Sequence, residues 1–210
     1  MKNLLKNRKY ILLLCLSFLV ACASTNTKSK STEYTARGEM YFKTAKYDKA
    51  EKYFNKAIEA NPYNLEAYKG RGSLYYNLGN YDKALQDFEH VLVYEPNNSS
   101  LLSAKAAIFA NAGMYEEAFN ILLKALKLNP SNIAALNSLA GIYYVLEDYK
   151  KAMEIYTISL EYQTTPEAYL MRGKCYLQLG NEDMAGNDFA MAKVLKLGAA
   201  NTMPEESTTK

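Results

Sequence analysis

Small and aromatic residues recur along this chain at helical spacing, with polar positions between them. The clearest copy of this pattern is residues 65–98. Gly72 and Ala84 are small enough for two backbones to approach closely, while neighbouring aromatic rings fill the flanking space. Asn80 can cap a second helix through its side-chain oxygen, and Pro96 falls where that helix should end. The pattern therefore predicts two antiparallel helices packed face to face.

The residues that carry this pattern match a known repeat motif of 34 residues. The copy resembles a tetratricopeptide repeat through Tyr68, Gly72, Tyr75, Gly79, Tyr81, Ala84, Phe88 and Pro96.

The same motif can be counted five times from residue 31 onward. The fourth copy lacks the terminal proline and is one residue short, and the fifth has Glu182 in place of an aromatic residue. The resemblance implies an all-α fold, a right-handed α-solenoid of five helix pairs. We assign the repeats to residues 31–64, 65–98, 99–132, 133–165 and 166–199, and expect residues 200–210 to form a disordered polar tail.

Residues 1–21 read as a secretory signal peptide that is removed. A basic start is followed by an apolar run too short for a comfortable membrane span. The end of this leader, Leu19-Val20-Ala21-Cys22, resembles a bacterial lipobox, which implies acylation of Cys22, with palmitate among the expected chains. An ordinary signal peptide or an uncleaved anchor with a chance cysteine is the alternative. We expect residues 22–30 to be the lipidated cysteine and a flexible tether.

The residue after Cys22 bears on the membrane to which the protein is sorted, and the balance of charges bears on its partners. Ala23 follows the acylated position and is not aspartate, which in a bacterium with two membranes resembles an outer-membrane lipoprotein. Four of the 25 basic residues lie in the leader, which leaves 21 against 22 acidic residues. Such a near-neutral chain offers no basic face for a row of phosphates, so we expect no nucleic-acid partner. We expect Cys175, the one cysteine beyond residue 22, to be a core residue.

Residues that would carry catalysis do not form a recognisable set. His90, the single histidine, has no cysteine or carboxylate at ligand spacing, and we expect it to be a satisfied or solvated surface side chain. Gly70-Arg71-Gly72 lies in a helical pattern and lacks the Lys-Ser/Thr of a phosphate-binding loop. We therefore predict a protein that is not an enzyme and has no cofactor and no metal.

The binding surface is assigned from the resemblance. In this family the first helix of each repeat lines a concave surface, which here implies a peptide-binding face of Glu39, Phe42, Lys69, Tyr76, Asn77, Asn111, Asn137, Tyr144, Lys174 and Gln178. The alternative is that the rings pack between helices. The carboxylate clamp of chaperone-binding relatives is absent, because Ser73 and Ala104 stand where its asparagines should be.

Long basic side chains recur at one further position in the first helix of most repeats. Arg37, Arg71, Lys105 and Arg172 occupy the place of the motif's leucine. We expect their stems to lie along the surface with the charged heads in water.

These features predict a membrane-anchored scaffold or adaptor in the bacterial envelope that binds an envelope protein or peptide. The alternative is a surface-exposed adhesin or host-contact lipoprotein. The last repeat has no further helix to cover Phe189 and Leu195, so we also expect association there. Either a homodimer or the polar tail with Met203 would cover that face.

Overall fold

The computed structural model describes residues 28–201, with side chains through residue 197. Within that range the chain forms ten helices and no strand, which confirms the all-α repeat fold. The signal peptide, Cys22 and Met203 lie outside the described residues. The helices are α1 (28–43), α2 (Tyr47–Ala60), α3 (Leu65–Asn77), α4 (Tyr81–Tyr94), α5 (Ser99–Asn111), α6 (Tyr115–Leu128), α7 (Ile133–Val145), α8 (Tyr149–Tyr162), α9 (Pro166–Gln178) and α10 (Glu182–Asn201).

The helices pack as consecutive antiparallel pairs in two compact units. The first unit ends at Pro96 and the second begins at Asn97. In the first unit, α3 packs against α2 and α4; in the second, α7 packs against α5, α6 and α8, and α9 packs against α8 and α10. None of the helices between residues 28 and 201 is both long enough and apolar enough to cross a membrane.

Side-chain caps explain where most helices begin. The Asn80 side chain accepts a hydrogen bond from the backbone N–H of Lys83, which confirms the cap predicted for α4. The same type of cap starts α3, α5, α7, α8 and α9, at Asn64, Asn98, Asn132, Asp148 and Thr165. Each cap satisfies one of the N–H groups that the first turn of a helix leaves unpaired.

The turn inside each pair needs one residue with positive φ. Glycine fills this place in the second, third and fifth repeats, with φ of 73° at Gly79, 77° at Gly113 and 76° at Gly180. Ala45 and Glu147 take the same conformation, with φ of 53° and 63°, although a Cβ disfavours it. Two of the five turns therefore carry backbone strain.

Small residues admit an aromatic ring between the helices of a pair. A Cβ added at Gly72 would lie 2.6 Å from the ring of Phe88, which is only 2% exposed. Ala84 is fully buried on the facing helix. The predicted packing is thus confirmed for Gly72, Ala84 and Phe88, whereas Tyr81 is 37% exposed and does not fill the gap between the helices.

A polar cluster joins the first pair to α3. The Asn64 amide donates to the hydroxyls of Ser31 and Thr35 at 2.7 and 2.9 Å, and Ser31 donates to the carbonyl of Ala57. The side chains of Ser31 and Thr35 are buried, so these bonds remove a desolvation cost as well as fixing the start of α3. The same contacts join the third pair to α7 through Asn132, Ser99 and Ser103.

Both ends of the repeat region are more helical than predicted. Residues 28–30 were assigned to the tether but belong to α1, where Thr32 donates to the carbonyl of Lys28 at 3.1 Å. At the other end α10 continues to Asn201, two residues into the segment predicted to be a disordered tail.

Candidate functional site

In the first unit the predicted binding residues lie on α1 and α3. Glu39 and Asn77 are exposed, while Phe42, Lys69 and Tyr76 are half-buried. Both helices are first helices of their pairs, so the exposed members offer carboxylate and amide groups to a partner. Their binding role stays a prediction.

In the second unit the predicted residues lie on α5, α7 and α9. Asn111, Lys174 and Gln178 are exposed. Asn137 and Tyr144 are half-buried. The side-chain oxygen Oδ1 of Asn137 accepts a hydrogen bond from the Ser159 hydroxyl at 2.7 Å. Asn137 therefore uses part of its hydrogen-bonding capacity within the fold.

The aromatic residues assigned to the binding surface pack on the next helix of their own pair. Each ring contacts the first residue of that helix, five positions later. The ring-centroid distances are 6.1 Å for Phe42 and Tyr47, 5.6 Å for Tyr76 and Tyr81, and 5.3 Å for Tyr144 and Tyr149. Much of each ring therefore packs against the first residue of the next helix, which agrees with the alternative that the rings pack between helices. Only the remaining part of each ring is open to a partner.

Lys69 is held by two carboxylates rather than presented alone. Its ammonium pairs with Glu66 and lies 3.4 Å from Glu95. Burial acts to lower the pKa of Lys69, but the hydrogen bond and charge of Glu66, supported by Glu95, raise it overall. A peptide carboxylate would have to displace one of these groups to bind here.

Arg71 does not extend into water, so that prediction is wrong for the second repeat. Its guanidinium makes two parallel hydrogen bonds to Asp87, at 2.9 and 2.7 Å, and the Asp87 side chain is only 5% exposed. A third bond of 2.6 Å reaches Asn55 on α2. The hydrogen bond to Asp87 raises the pKa of Arg71 against the effect of burial. Arg71 thus ties together α2, α3 and α4.

Arg172 repeats this arrangement in the last pair, so the prediction is wrong there as well. It bonds Asp188 twice at 2.8 Å and reaches Thr157 on the preceding helix at 3.3 Å. Arg37 differs because Tyr53, not aspartate, stands sixteen residues later, and it pairs with Glu33 at the surface. An arginine followed by aspartate at that interval is the sequence signal for the buried pair.

The histidine and the cysteine of the described region, His90 and Cys175, both pack against neighbouring residues. The His90 ring stacks on Tyr68 at 4.1 Å, and its Nε2 is buried without a hydrogen-bond partner among the described residues, so the expectation of a satisfied or solvated histidine is wrong. Cys175 is fully buried, as predicted, and burial raises its pKa to about 11. Between residues 28 and 201 no three His, Cys, Asp or Glu side chains group so as to hold a metal ion.

The chain belongs to the tetratricopeptide-repeat family. Tetratricopeptide-repeat models match residues 31–64 and 65–98, residues 110–175, and residues 166–192. No curated protein sequence matches the chain.

Solved structures with the same fold include those of MamA and PilF. MamA protein is 21% identical with a TM-score of 0.61, over 86% of this chain and 98% of that one. PilF of Pseudomonas aeruginosa is 17% identical with a TM-score of 0.70, over 80% of this chain and 78% of that one. A MamA RS-1 double mutant is 17% identical with a TM-score of 0.64, over 82% and 97%. Family and fold together support a protein–protein interaction scaffold.

Proposed function

We propose that this protein is a membrane-anchored tetratricopeptide lipoprotein that acts as a non-catalytic scaffold or adaptor in the bacterial cell envelope. It binds an envelope protein or peptide on the surface that the first helices of the pairs present in each unit. The observation that carries this proposal is the set of exposed polar side chains on those helices, which include Glu39, Asn77, Asn111, Lys174 and Gln178. Binding on this surface combines amide and charged hydrogen bonds with the exposed part of the rings.

The anchoring half of the proposal rests on the leader. A basic segment, an apolar run and the Leu19-Val20-Ala21-Cys22 box precede the repeats. Two or three acyl chains on Cys22 would hold the protein stably on a bilayer, where one chain alone binds marginally. In a bacterium with two membranes, Ala23 after the acylated cysteine favours the outer membrane.

Replacing Cys22 by alanine tests the anchor. We expect the Cys22→Ala variant to lose labelling by a clickable palmitate analogue and to move into the soluble fraction. A Cys175→Ala variant is the matched control and should remain labelled and membrane-bound. A Cys22→Ala protein that still carries fatty acid and sediments with membranes contradicts the assignment.

Exposure to protease on intact cells tests the scaffold role against a surface adhesin. An internal envelope scaffold is protected until the outer membrane is opened. Cleavage in intact cells, with the periplasmic markers still protected, contradicts the internal role and favours the adhesin.

A further inference from the structure

The last helix pair carries an open groove. The groove has a volume of about 280 Å³ and lies between α9 and α10. Its lining combines an apolar floor with charged side chains, and consists of Pro166, Glu167, Leu170, Phe189, Ala192, Lys193 and Lys196. Leu170, in the middle of α9, is 43% exposed.

Phe189 occupies a position that is buried in every earlier repeat. Its equivalents are Phe54, Phe88, Leu122 and Tyr156, which are 0%, 2%, 0% and 3% exposed, whereas Phe189 is only half-buried. Gly173 accommodates one side of the Phe189 ring in the way that Gly38 accommodates Phe54. The Phe54 ring also lies against Gly70 of the following helix, α3. Phe189 therefore has the first of these contacts but not the second.

The first and third pairs show what such a groove holds. In the first pair α3 packs on α2, and in the third pair α7 packs on α5 and α6. Each of these helices begins at a capping asparagine, Asn64 or Asn132. The side chain of that asparagine donates a hydrogen bond to a serine hydroxyl on the pair against which the helix packs. The groove is therefore shaped for an amphipathic α-helix that lies across both helices of the pair.

Three positions of the groove differ from their equivalents in all four earlier repeats. Lys193 replaces an aliphatic residue, namely Ile58, Leu92, Leu126 or Leu160. Lys196 replaces a neutral or acidic residue, namely Asn61, Glu95, Asn129 or Gln163. Leu170 replaces a polar residue, namely Thr35, Lys69, Ser103 or Asn137.

These three changes together indicate a binding surface rather than a solvated end. Lysines alone would fit an end exposed to water, but such an end would keep a polar residue at position 170. The chain instead makes the floor more apolar with Leu170 and the rim more basic with Lys193 and Lys196. An apolar floor beside a basic rim suits a helix with acidic residues next to its apolar stripe.

We propose that this groove binds, in trans, an amphipathic helix of a protein partner that carries acidic residues beside its apolar face. The helix takes the position on the fifth pair that α7 takes on the third. The groove borders the first-helix surface of the proposed function, since Leu170 lies one turn from Lys174 on α9. Its rim on α10, with Lys193 and Lys196, is not part of that surface.

A second copy and the tail fit the groove less well. A symmetric dimer through this groove would bring four lysines together with only two glutamates, since Glu167 is the one acid in the lining. An occupant from the tail would have to enter differently from α3, because α10 has 20 residues where α2, α4, α6 and α8 have 14. The chain thus passes the point at which α2 turns back toward its groove.

The test uses two synthetic fluorescent peptides and the full chain in detergent solution. Both peptides are amphipathic helices with the same leucine stripe, flanked in one by glutamates and in the other by lysines. We expect the acidic peptide to bind at least about 10-fold more tightly, as measured by fluorescence anisotropy at low salt. Equal affinity of the two peptides overturns the proposal.

Variants locate the binding. Lys193→Glu with Lys196→Glu should reverse the peptide preference, and Leu170→Ser, which restores a polar residue found in earlier repeats, should weaken binding at least about 10-fold. Lys52→Glu with Lys150→Glu, on exposed positions of other second helices, is the matched control and should change nothing. Circular dichroism melts verify folding, and binding unaffected by the groove variants overturns the proposal.

The same preparations identify the other occupants. A dimer in sedimentation velocity at tens of micromolar that Leu170→Ser dissociates would assign the groove to a second copy. An increase in peptide affinity of about 10-fold on deletion of residues 202–210 would assign it to the tail. Either result overturns the proposal for a partner helix.

Discussion

Replacing Arg71 by methionine should destabilise the first unit strongly. The substitution keeps most of the apolar stem but removes the guanidinium. Asp87, 5% exposed, then loses hydrogen bonds of 2.9 and 2.7 Å and keeps its charge in the core. Breaking a buried ion pair from one side costs about 3–5 kcal/mol. Because the Arg71 side chain is 21% exposed and water can reach the site, we expect about 2–3 kcal/mol.

Two further variants separate the lost charge from the lost packing. Arg71→Met combined with Asp87→Leu removes both charges, and we expect its stability to return to within about 1 kcal/mol of the parent. Arg37→Met makes the same exchange at the equivalent surface position, where the ion pair with Glu33 is half-exposed. We expect that variant to leave the melting curve unchanged.

Urea titrations followed by circular dichroism at pH 7 measure these differences. Because the full chain has two units, its unfolding need not be two-state. The variants are therefore compared by their transition midpoints, measured under one set of conditions and fitted with the same dependence of the unfolding free energy on urea. Equal midpoints for Arg71→Met and Arg37→Met, or a double variant as unstable as the single one, would refute the buried-charge reasoning.

Three further predictions concern packing, turns and the thiol. Ala84→Leu and Ala118→Leu insert methylenes at fully buried positions and should each destabilise by about 1–3 kcal/mol in urea titrations; unchanged midpoints would show that the helix contact has room. Gly113→Ala should destabilise by about 1 kcal/mol and Ala45→Gly should stabilise by about 0.5–1 kcal/mol, because both turns have positive φ; shifts of the opposite sign in thermal melts would contradict this. Cys175 should react with a maleimide far more slowly in the native protein than in urea, since it is fully buried with a pKa of about 11, and equal rates would contradict its burial.

The repeat motif predicts the helix pairs because it encodes local physical constraints. Gly72, Ala84 and Phe88 specify the close contact between two helices, and all three are found where the spacing puts them. Asn80 specifies the start of a helix and caps it. Such constraints act within one repeat, so the sequence pattern alone is enough to recognise them.

Features of residues that depart from the motif were not predictable in the same way. Arg37 and Arg71 occupy the same place in their repeats, and only the residue sixteen positions later, Tyr53 or Asp87, decides whether the guanidinium is buried. The positive φ of Ala45 was not predictable either. Glycine, as at Gly79, is typical of a turn with positive φ, whereas alanine is not.

The candidate surface was only partly predictable for a related reason. Spacing assigns Tyr76 to the first-helix face, but it does not reveal that Tyr81, five residues later, packs against that ring. Asn77, next to Tyr76 on the same helix, is exposed and is the better guide to the surface.

Site-specific photocrosslinking in living cells tests the central claim most directly. A photoreactive phenylalanine analogue is placed at Asn77 and at Gln178, exposed positions on first helices, and as controls at Gln86 and Lys150, exposed positions on second helices. The scaffold account predicts one discrete protein adduct that forms from Asn77 or Gln178 and from neither control. Adducts that form only from Gln86 and Lys150, or equally from all four positions, would contradict it.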